Sequence, residues 1–382
     1  MKKKLLILTS YLLVSVLSTV LTLGIVAHKT GGVSKLDQLG SIIEGYYIEE
    51  ADRTALEDAA AEAMIAATGD RWSYYIPAAE YAAYIENQEN AYVGIGVTIT
   101  VAHDGSGLQI MEVSPGSSAL EAGLQVDDVI IGIEGQDAAG MTTTEARNLV
   151  RGKEGTQVAM KIWRSGEILE ISVTRRKVEV TVASGQMLED NVGLITIENF
   201  DDRCASETIA AIESLQAQGA VKLIFDVRNN PGGYAHELVK LLDYLLPEGD
   251  LFRTMDYAGK ESVDKSNAAC LDLPMAVLVN GESYSAAEFF AVALQEYGAA
   301  VVVGEKTTGK GHFQSTFRLN DGSAVALSIG KYYTPNGISL EGVGITPDVE
   351  VPVEESVASE IYYGQLAPQE DPQIQAAMIA LK

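Results

Sequence analysis

The stretch "MAVLVNGESYSAAEFFAVALQEYGAAVVVGE", residues 275–305, passes from a short apolar run through a helical period to a second apolar run. The two apolar runs read as strands and the segment between them as a helix. The same alternation precedes it, with strand "VGLITIENF", helix "ASETIAAIESLQAQG", strand "VKLIFDVR" and helix "YAHELVKLLDYLL" over residues 192–246. The expected fold class is therefore α/β, with catalytic groups on loops at the strand ends. Within the opening stretch two serines stand where the helix begins. Ser285-Ala286-Ala287-Glu288 fits a capping box, which satisfies free N–H groups at a helix start. A serine nucleophile gains from the same place, because the N–H groups and positive dipole end of a helix suit a developing oxyanion. Capping and catalysis share one geometry, so the local pattern leaves both open.

A nucleophilic hydroxyl needs a base. The four histidines, His28, His103, His236 and His312, are scattered and carry no triad signature. A lysine serves instead if burial among apolar groups removes its charge; bringing its pKa from about 10.4 to near 7 corresponds to roughly 4 to 5 kcal/mol. Lys310 in "GEKTTGKGHFQ", residues 304–314, is the candidate, flanked by Gly309 and Gly311. The same residues nearly spell a phosphate-binding loop, but Gly311 stands where Ser or Thr would hold magnesium, and a strand-like segment follows where a helix should.

Upstream, residues 92–175 show short alternating strands interrupted by one helix over about 143–151. "GIGV" at residues 94–97, "VSPGSSALEAGLQVDDVIIGIEGQ" and "TTTEARNLVRGKEGTQVAMKIWR" together resemble a PDZ domain. That resemblance implies that Gly94, Ile95, Gly96 and Val97 present backbone N–H groups to the terminal carboxylate of a peptide, which adds as a strand beside the helix.

Five ordered blocks then resemble the carboxy-terminal processing proteases, the S41 family of Ser-Lys peptidases that carry a PDZ domain. They are "GDRWSYYIPAAEY", "FDVRNNPGG", residues 283–314, "GKYYTPNGISLEGVGITPDV" and "DPQIQAAMIAL". The resemblance implies Ser285, rather than Ser283, as nucleophile, Lys310 as general base and Gln314 as the residue that orients the lysine. It also implies an oxyanion hole made of the Ala286 amide and an amide of Gly232 or Gly233, between which the sequence does not choose. The core it implies is a ClpP- or crotonase-like α/β spiral, with no cofactor and no metal, and a PDZ unit able to gate the site. Two positions depart from the family pattern: bulky Tyr284 between the serines, and the titratable His312 beside the lysine. Tyr284 is expected to narrow the pocket, and His312 to leave room for modulating the lysine.

The expected domains are an anchor or signal over 1–30, a helical region over 31–88, a PDZ domain over 89–177, the peptidase core over 178–350 and a tail with a helix over 351–382. Lys2, Lys3 and Lys4 precede an uncharged run over 5–27 that as a helix spans a bilayer of roughly 30 Å. We read it as a retained single-pass anchor in the cell membrane, with the catalytic part extracytoplasmic; cleavage of the segment would secrete the same part. A net charge of -26 repels phosphate backbones, so nucleic acid is excluded as a partner. Partners are instead protein substrates with exposed C-terminal tails, and a homo-oligomer is left open. Cys204 and Cys270 are too few for a disulfide framework and read either as a pair or as two buried thiols. The expected function is a serine endopeptidase that captures tails through the PDZ-like unit. The rivals are an inactive tail-binding scaffold, which intact Ser285, Lys310 and Gln314 disfavour, and a crotonase-like thioester enzyme, which leaves the PDZ-like unit unexplained.

Overall fold

The computed structural model describes residues 34–267 and 270–382, so the expected membrane anchor lies outside the described residues. The chain divides into two compact units, one comprising the residues up to Pro77 with Thr316–Leu327, the other Ala78–Ser315 with Ser328–Lys382. In the first, helices α1 (Lys35–Tyr46) and α2 (Arg53–Ala66) precede strand β1 (Tyr74–Ile76), which pairs antiparallel with Ala324–Ala326. Ser34 and Asp52 cap the two helices, as small polar residues before a helical period should.

The second unit opens with helix α3 (Tyr81–Gln88), and a two-stranded ribbon of β2 (Ala91–Gly94) and β9 (Arg176–Glu179) forms the way into and out of a PDZ-type body. Between them lie β3 (Val97–Val101), β4 (Leu108–Val113), the short α4 (Ser118–Glu121), β5 (Val129–Ile133), β6 (Gln136–Asp137), α5 (Thr143–Val150), β7 (Gln157–Arg164) and β8 (Glu167–Thr174). The sheet order is β3-β4-β5-β7-β8, which leaves β3 at an edge. Alternation in β7, with Val158, Met160 and Ile162 buried and their neighbours outward, turns one face of the sheet onto a core that also holds Ile95, Leu108 and Ile130.

The rest is the α/β body expected from the alternating pattern. Its strands are β10 (Ala183–Met187), β11 (Val192–Ile197), β12 (Lys222–Asp226), β15 (Met275–Val279), β16 (Ala300–Gly304) and β19 (Val349–Glu350), in the sheet order β10-β11-β12-β15-β16-β19. All neighbours are parallel except β10 and β11. All five residues of β15 are buried, which is why its sequence runs apolar without alternating. One face is covered by α6 (Cys204–Ala217), α7 (Ala235–Leu245) and α8 (Ala286–Glu296), the other by α10 (Pro372–Ala380) through Ile374, Ala377 and Leu381. Outside this sheet, β13 (Gly249–Asp256) pairs with β14 (Glu261–Ser266) and with Gly330–Tyr333 of β18 (Ala324–Tyr333), the strand after β17 (His312–Arg318). Helix α9 (Glu355–Tyr362) precedes α10, whose N-cap is Asp371 with Pro372 in the first turn. Cys204 is buried and Cys270 exposed, and both are free thiols, so the expectation of two buried thiols holds for Cys204 alone.

Candidate active site

The turn from β15 into α8 sets the geometry. Ser283 is fully buried; its hydroxyl donates to Val227 O (2.7 Å) and accepts the Asn280 N–H (3.0 Å). That hydroxyl ties the turn to the end of β12, with its proton committed to Val227 O. Ser285, two residues on, is the N-cap of α8 with φ 58° and ψ -125°. A non-glycine residue at positive φ costs of order 1–3 kcal/mol and persists only where its surroundings enforce it. Here the enforcement is visible: the Ser285 N–H donates to Glu288 Oε2 (3.0 Å), and the Tyr284 N–H donates to Asn230 O (3.1 Å).

Glu288 does more than cap its helix. It is fully buried, and its Oε2 also accepts the Lys310 N–H (2.8 Å) while Oε1 accepts the Gly309 N–H (2.8 Å) and the Thr307 hydroxyl. One carboxylate oxygen thus holds the main chain of both Ser285 and Lys310, which puts the two backbone nitrogens within about 6 Å, twice a hydrogen-bond length. Burial pushes the Glu288 pKa upward, opposed by these donors. On the far side of Lys310, the Gly311 N–H donates to Glu341 Oε2 (2.7 Å), so carboxylates grip the lysine's loop before and after it. The Lys310 amine itself lies 5.7 Å from the centroid of the Tyr284 ring, a cation–π distance.

The segment 228–233 forms the opposite wall. Asn229 and Asn280 exchange hydrogen bonds, Asn229 N–H to Asn280 Oδ1 (2.9 Å) and Asn280 Nδ2 to Asn229 Oδ1 (2.8 Å). Buried Asn230 donates to Ile197 O (2.7 Å) and accepts the Gly232 N–H on its Oδ1 (2.8 Å). The Gly232 amide is therefore occupied, whereas the Gly233 amide has no acceptor among the described residues. Gly232 has φ 87°, and a Cβ on it would lie 2.7 Å from Ser285 Cβ and 2.9 Å from Ala286 N. Only glycine fits so close to the serine. Ala286, buried, is the first residue of α8, and its N–H lies ahead of the helical hydrogen-bond ladder.

Residues 191–351 match peptidase family S41 and residues 85–163 match the PDZ domain. The carboxy-terminal processing protease CtpA of Bacillus subtilis is 32% identical over 92% of this chain and 78% of its own length. A probable CtpA-like serine protease of Staphylococcus aureus is 32% identical over 90% of this chain and 71% of its own. The chain belongs to peptidase family S41. Among solved structures, one described as an S41 protease from Bacteroides fragilis is similar in fold, with a TM-score of 0.51 at 19% identity over 90% of this chain and 97% of its own. The protein is thus a member of the carboxy-terminal processing serine proteases, with an α/β peptidase core and a PDZ domain.

In this S41 chain the residues expected from sequence do not all meet at one point. Ser285, Ala286, Gly232 and the Lys310 main chain converge as described. Gln314 is turned to its own strands: its carboxamide donates to His312 O (3.2 Å) and Ser328 Oγ (3.0 Å). His236 stacks on Tyr234 and its Nε2 lies 3.5 Å from Glu237, while His103 sits on the exposed turn after β3. His312 Nδ1 is buried without a hydrogen bond, 3.4 Å from Glu341 Oε2. Sequence reading missed Asn229, Asn230, Asn280, Thr307 and Glu341, whose roles rest on contacts across 19 or more residues of chain. The only local signal was the paired Asn of "RNNPGG", whose side chains suit turns that need backbone partners.

In the PDZ domain, the expected loop lies before the edge strand β3. The Ile95 and Gly96 carbonyls accept the N–H groups of Ala119 and Ser114 (3.0 Å each). Their own N–H groups have no acceptor among the described residues. They open on a cavity of about 320 Å³ between β3 and α5, lined by Ile95, Val97, Ile99, Ile130 and Val150.

Proposed function

We propose that the protein is a serine endopeptidase that holds protein C-terminal tails in its PDZ groove and cleaves them with Ser285 as nucleophile and Lys310 as general base. The observation that carries this reading is the shared Glu288 oxygen, which fixes the backbones of Ser285 and Lys310 beside each other while Ser285 is held at positive φ. Ser285 Oγ attacks the scissile carbonyl carbon as its proton passes to the neutral Lys310 amine. The negative oxygen is received by the Ala286 and Gly233 amides, since the Gly232 amide is already taken by Asn230. The lysine returns the proton to the leaving amine, and water releases the acyl-enzyme. Gln314 supports the Lys310 loop through His312 O rather than by touching the amine.

Tail capture rests on the unpaired Ile95 and Gly96 amides, which suit a terminal carboxylate, and on the edge position of β3, which accepts an added strand. Residues 5–27 hold the enzyme in the membrane with the peptidase outside the cytoplasm, by their length and the lysines before them. Incubation with an unstructured polypeptide ending in apolar residues tests the reading. Cleavage by the wild type, lost in both Ser285→Ala and Lys310→Ala, supports it; binding without turnover would favour a scaffold. Activity that survives Lys310→Ala but not His312→Ala or His236→Ala would overturn the base assignment.

A further inference from the structure

The PDZ groove carries two arginines in different circumstances. Arg151 is neutralised: its guanidinium pairs with Glu86 (2.9 Å) and lies 4.8 Å over the Tyr92 ring. Arg147, one turn earlier on α5, also lines the groove, is exposed, and has no hydrogen-bond or ion-pair partner among the described residues. Nearby Glu145 is turned instead to Thr142, whose N–H and hydroxyl its Oε2 accepts in the capping box. Tyr92 lies on β2 two residues before the Gly94–Val97 loop and lines the same groove, so its contact with Arg151 places the C-terminal end of α5 at the carboxylate end of the groove. A tail whose carboxylate reaches Ile95 and Gly96 therefore runs antiparallel to β3, and its upstream residues pass back along α5 from Val150 toward Thr143.

Alternate side chains of an added strand face the helix, the terminal one and the one two residues before it, spaced about 6.6 Å. Stepping back from Val150 to Arg147 covers about 4.5 Å of helix, and the long arginine side chain reaches the remainder. We propose that Arg147 is a specificity-determining residue that selects tails with an apolar last residue and Glu or Asp two positions before it. The apolar last side chain sits over Ile95, Ile130 and Val150, and the acidic one pairs with the free guanidinium. On a chain of net charge -26 this is a local cation in a repelling field, so it also separates acidic tails that dock from those merely turned away.

The inference rests on the tail-capture reading and is tested with full-length Ser285→Ala protein, which binds without turnover. Fluorescence anisotropy is measured with labelled ten-residue peptides ending in Leu that differ only in Glu, Gln or Lys two positions earlier. An exposed pair predicts the Glu peptide binding roughly three- to tenfold tighter than the Lys peptide. Arg147→Glu should reverse the order, and Arg147→Gln should level it. If all three peptides bind equally, or the order survives Arg147→Glu in a variant with unchanged melting temperature, the assignment of Arg147 fails while tail capture stands. If no peptide binds, or amidating the carboxy-terminus changes nothing, tail capture itself fails.

Discussion

Two serines two residues apart have opposite fates because of what reaches their oxygens. Ser283 Oγ is spent on Val227 O and the Asn280 amide, while Ser285 stands where Gly232 leaves room and Glu288 holds its backbone. Gly232→Ala should lower kcat by at least about 100-fold, since the new methyl would have to displace Ser285 and the oxyanion amides with it; a single-turnover assay with unchanged peptide binding is the check. Tyr284 is the second residue with a clear consequence. Its ring beside the Lys310 amine favours the charged lysine, so Tyr284→Leu should move the acid limb of the kcat/KM profile to lower pH by less than about one unit. A shift to higher pH would show that burial by the ring dominates instead. Glu288→Gln should cost about 2–3 kcal/mol in urea unfolding and abolish turnover, because an amide NH₂ would face N–H donors now served by two oxygens. The Ser-x-x-Glu spacing was legible as a capping box. That the same carboxylate reaches Thr307, Gly309 and Lys310 was not, because those partners lie 19 or more residues along the chain.

Among the elements, α10 shows how a terminal helix reports to the site. Its cap residue Asp371 receives the Gln373 and Ile374 amides and pairs with Arg228 (2.8 Å), which also binds Gln373 Oε1 and both oxygens of Asp226. Arg228 and Asp371 are both buried, and Arg228 directly precedes the Asn229–Gly233 wall. Asp371→Ala should therefore cost about 1–3 kcal/mol, from the lost helix cap and one of Arg228's buried hydrogen bonds while Asp226 still pairs the guanidinium, and lower kcat more than it raises KM. Asp371→Asn, which keeps the cap, should recover part of the stability. The Asp-Pro start of α10 and the apolar run of β15 were plain in the sequence, since caps and continuous burial are local patterns. The docking of α10 on the sheet face opposite α6, α7 and α8 was not, because its Ile374, Ala377 and Leu381 name an apolar stripe without naming its target.

For the molecule as a whole, the PDZ ribbon meets the core at one polar seam. Asn90 and Asn199 exchange amide hydrogen bonds (3.0 and 2.7 Å), and Arg203, at φ 74°, donates to Glu89 O, Asn90 O and Val180 O. Asp201 sits in this loop, and a Cβ on Gly233 would meet its backbone nitrogen at 2.6 Å. Burial, with the negative Asp202 beside it, pushes the Asp201 carboxyl from 3.8 up to about 7. A carboxyl raised in the folded state contributes stability fully below its unfolded pKa and loses it as pH rises toward 7. Asp201→Asn should accordingly leave the melting temperature at pH 4 nearly unchanged and raise stability at pH 8 by about 1–2 kcal/mol, less than the full shift implies because the group is partly solvated. An equal effect at both pH values would place the ionisation elsewhere.

The sequence by itself determined the strand and helix pattern and the Ser285 and Asp371 caps, because each is written in periods and spacings of a few residues, while Ser285 over Ser283, Lys310 as base and the PDZ-like loop followed from the resemblance carried by longer ordered blocks. Tertiary structure alone decided that Gly232 gives space while Gly233, among the described residues, keeps a free amide, that Glu288 and Glu341 grip the lysine's loop, and that among those residues Arg147 is the groove arginine without an ion-pair partner. Those facts depend on which distant groups compete for the same hydrogen bond or charge, and such competition exists only once the chain has brought them together.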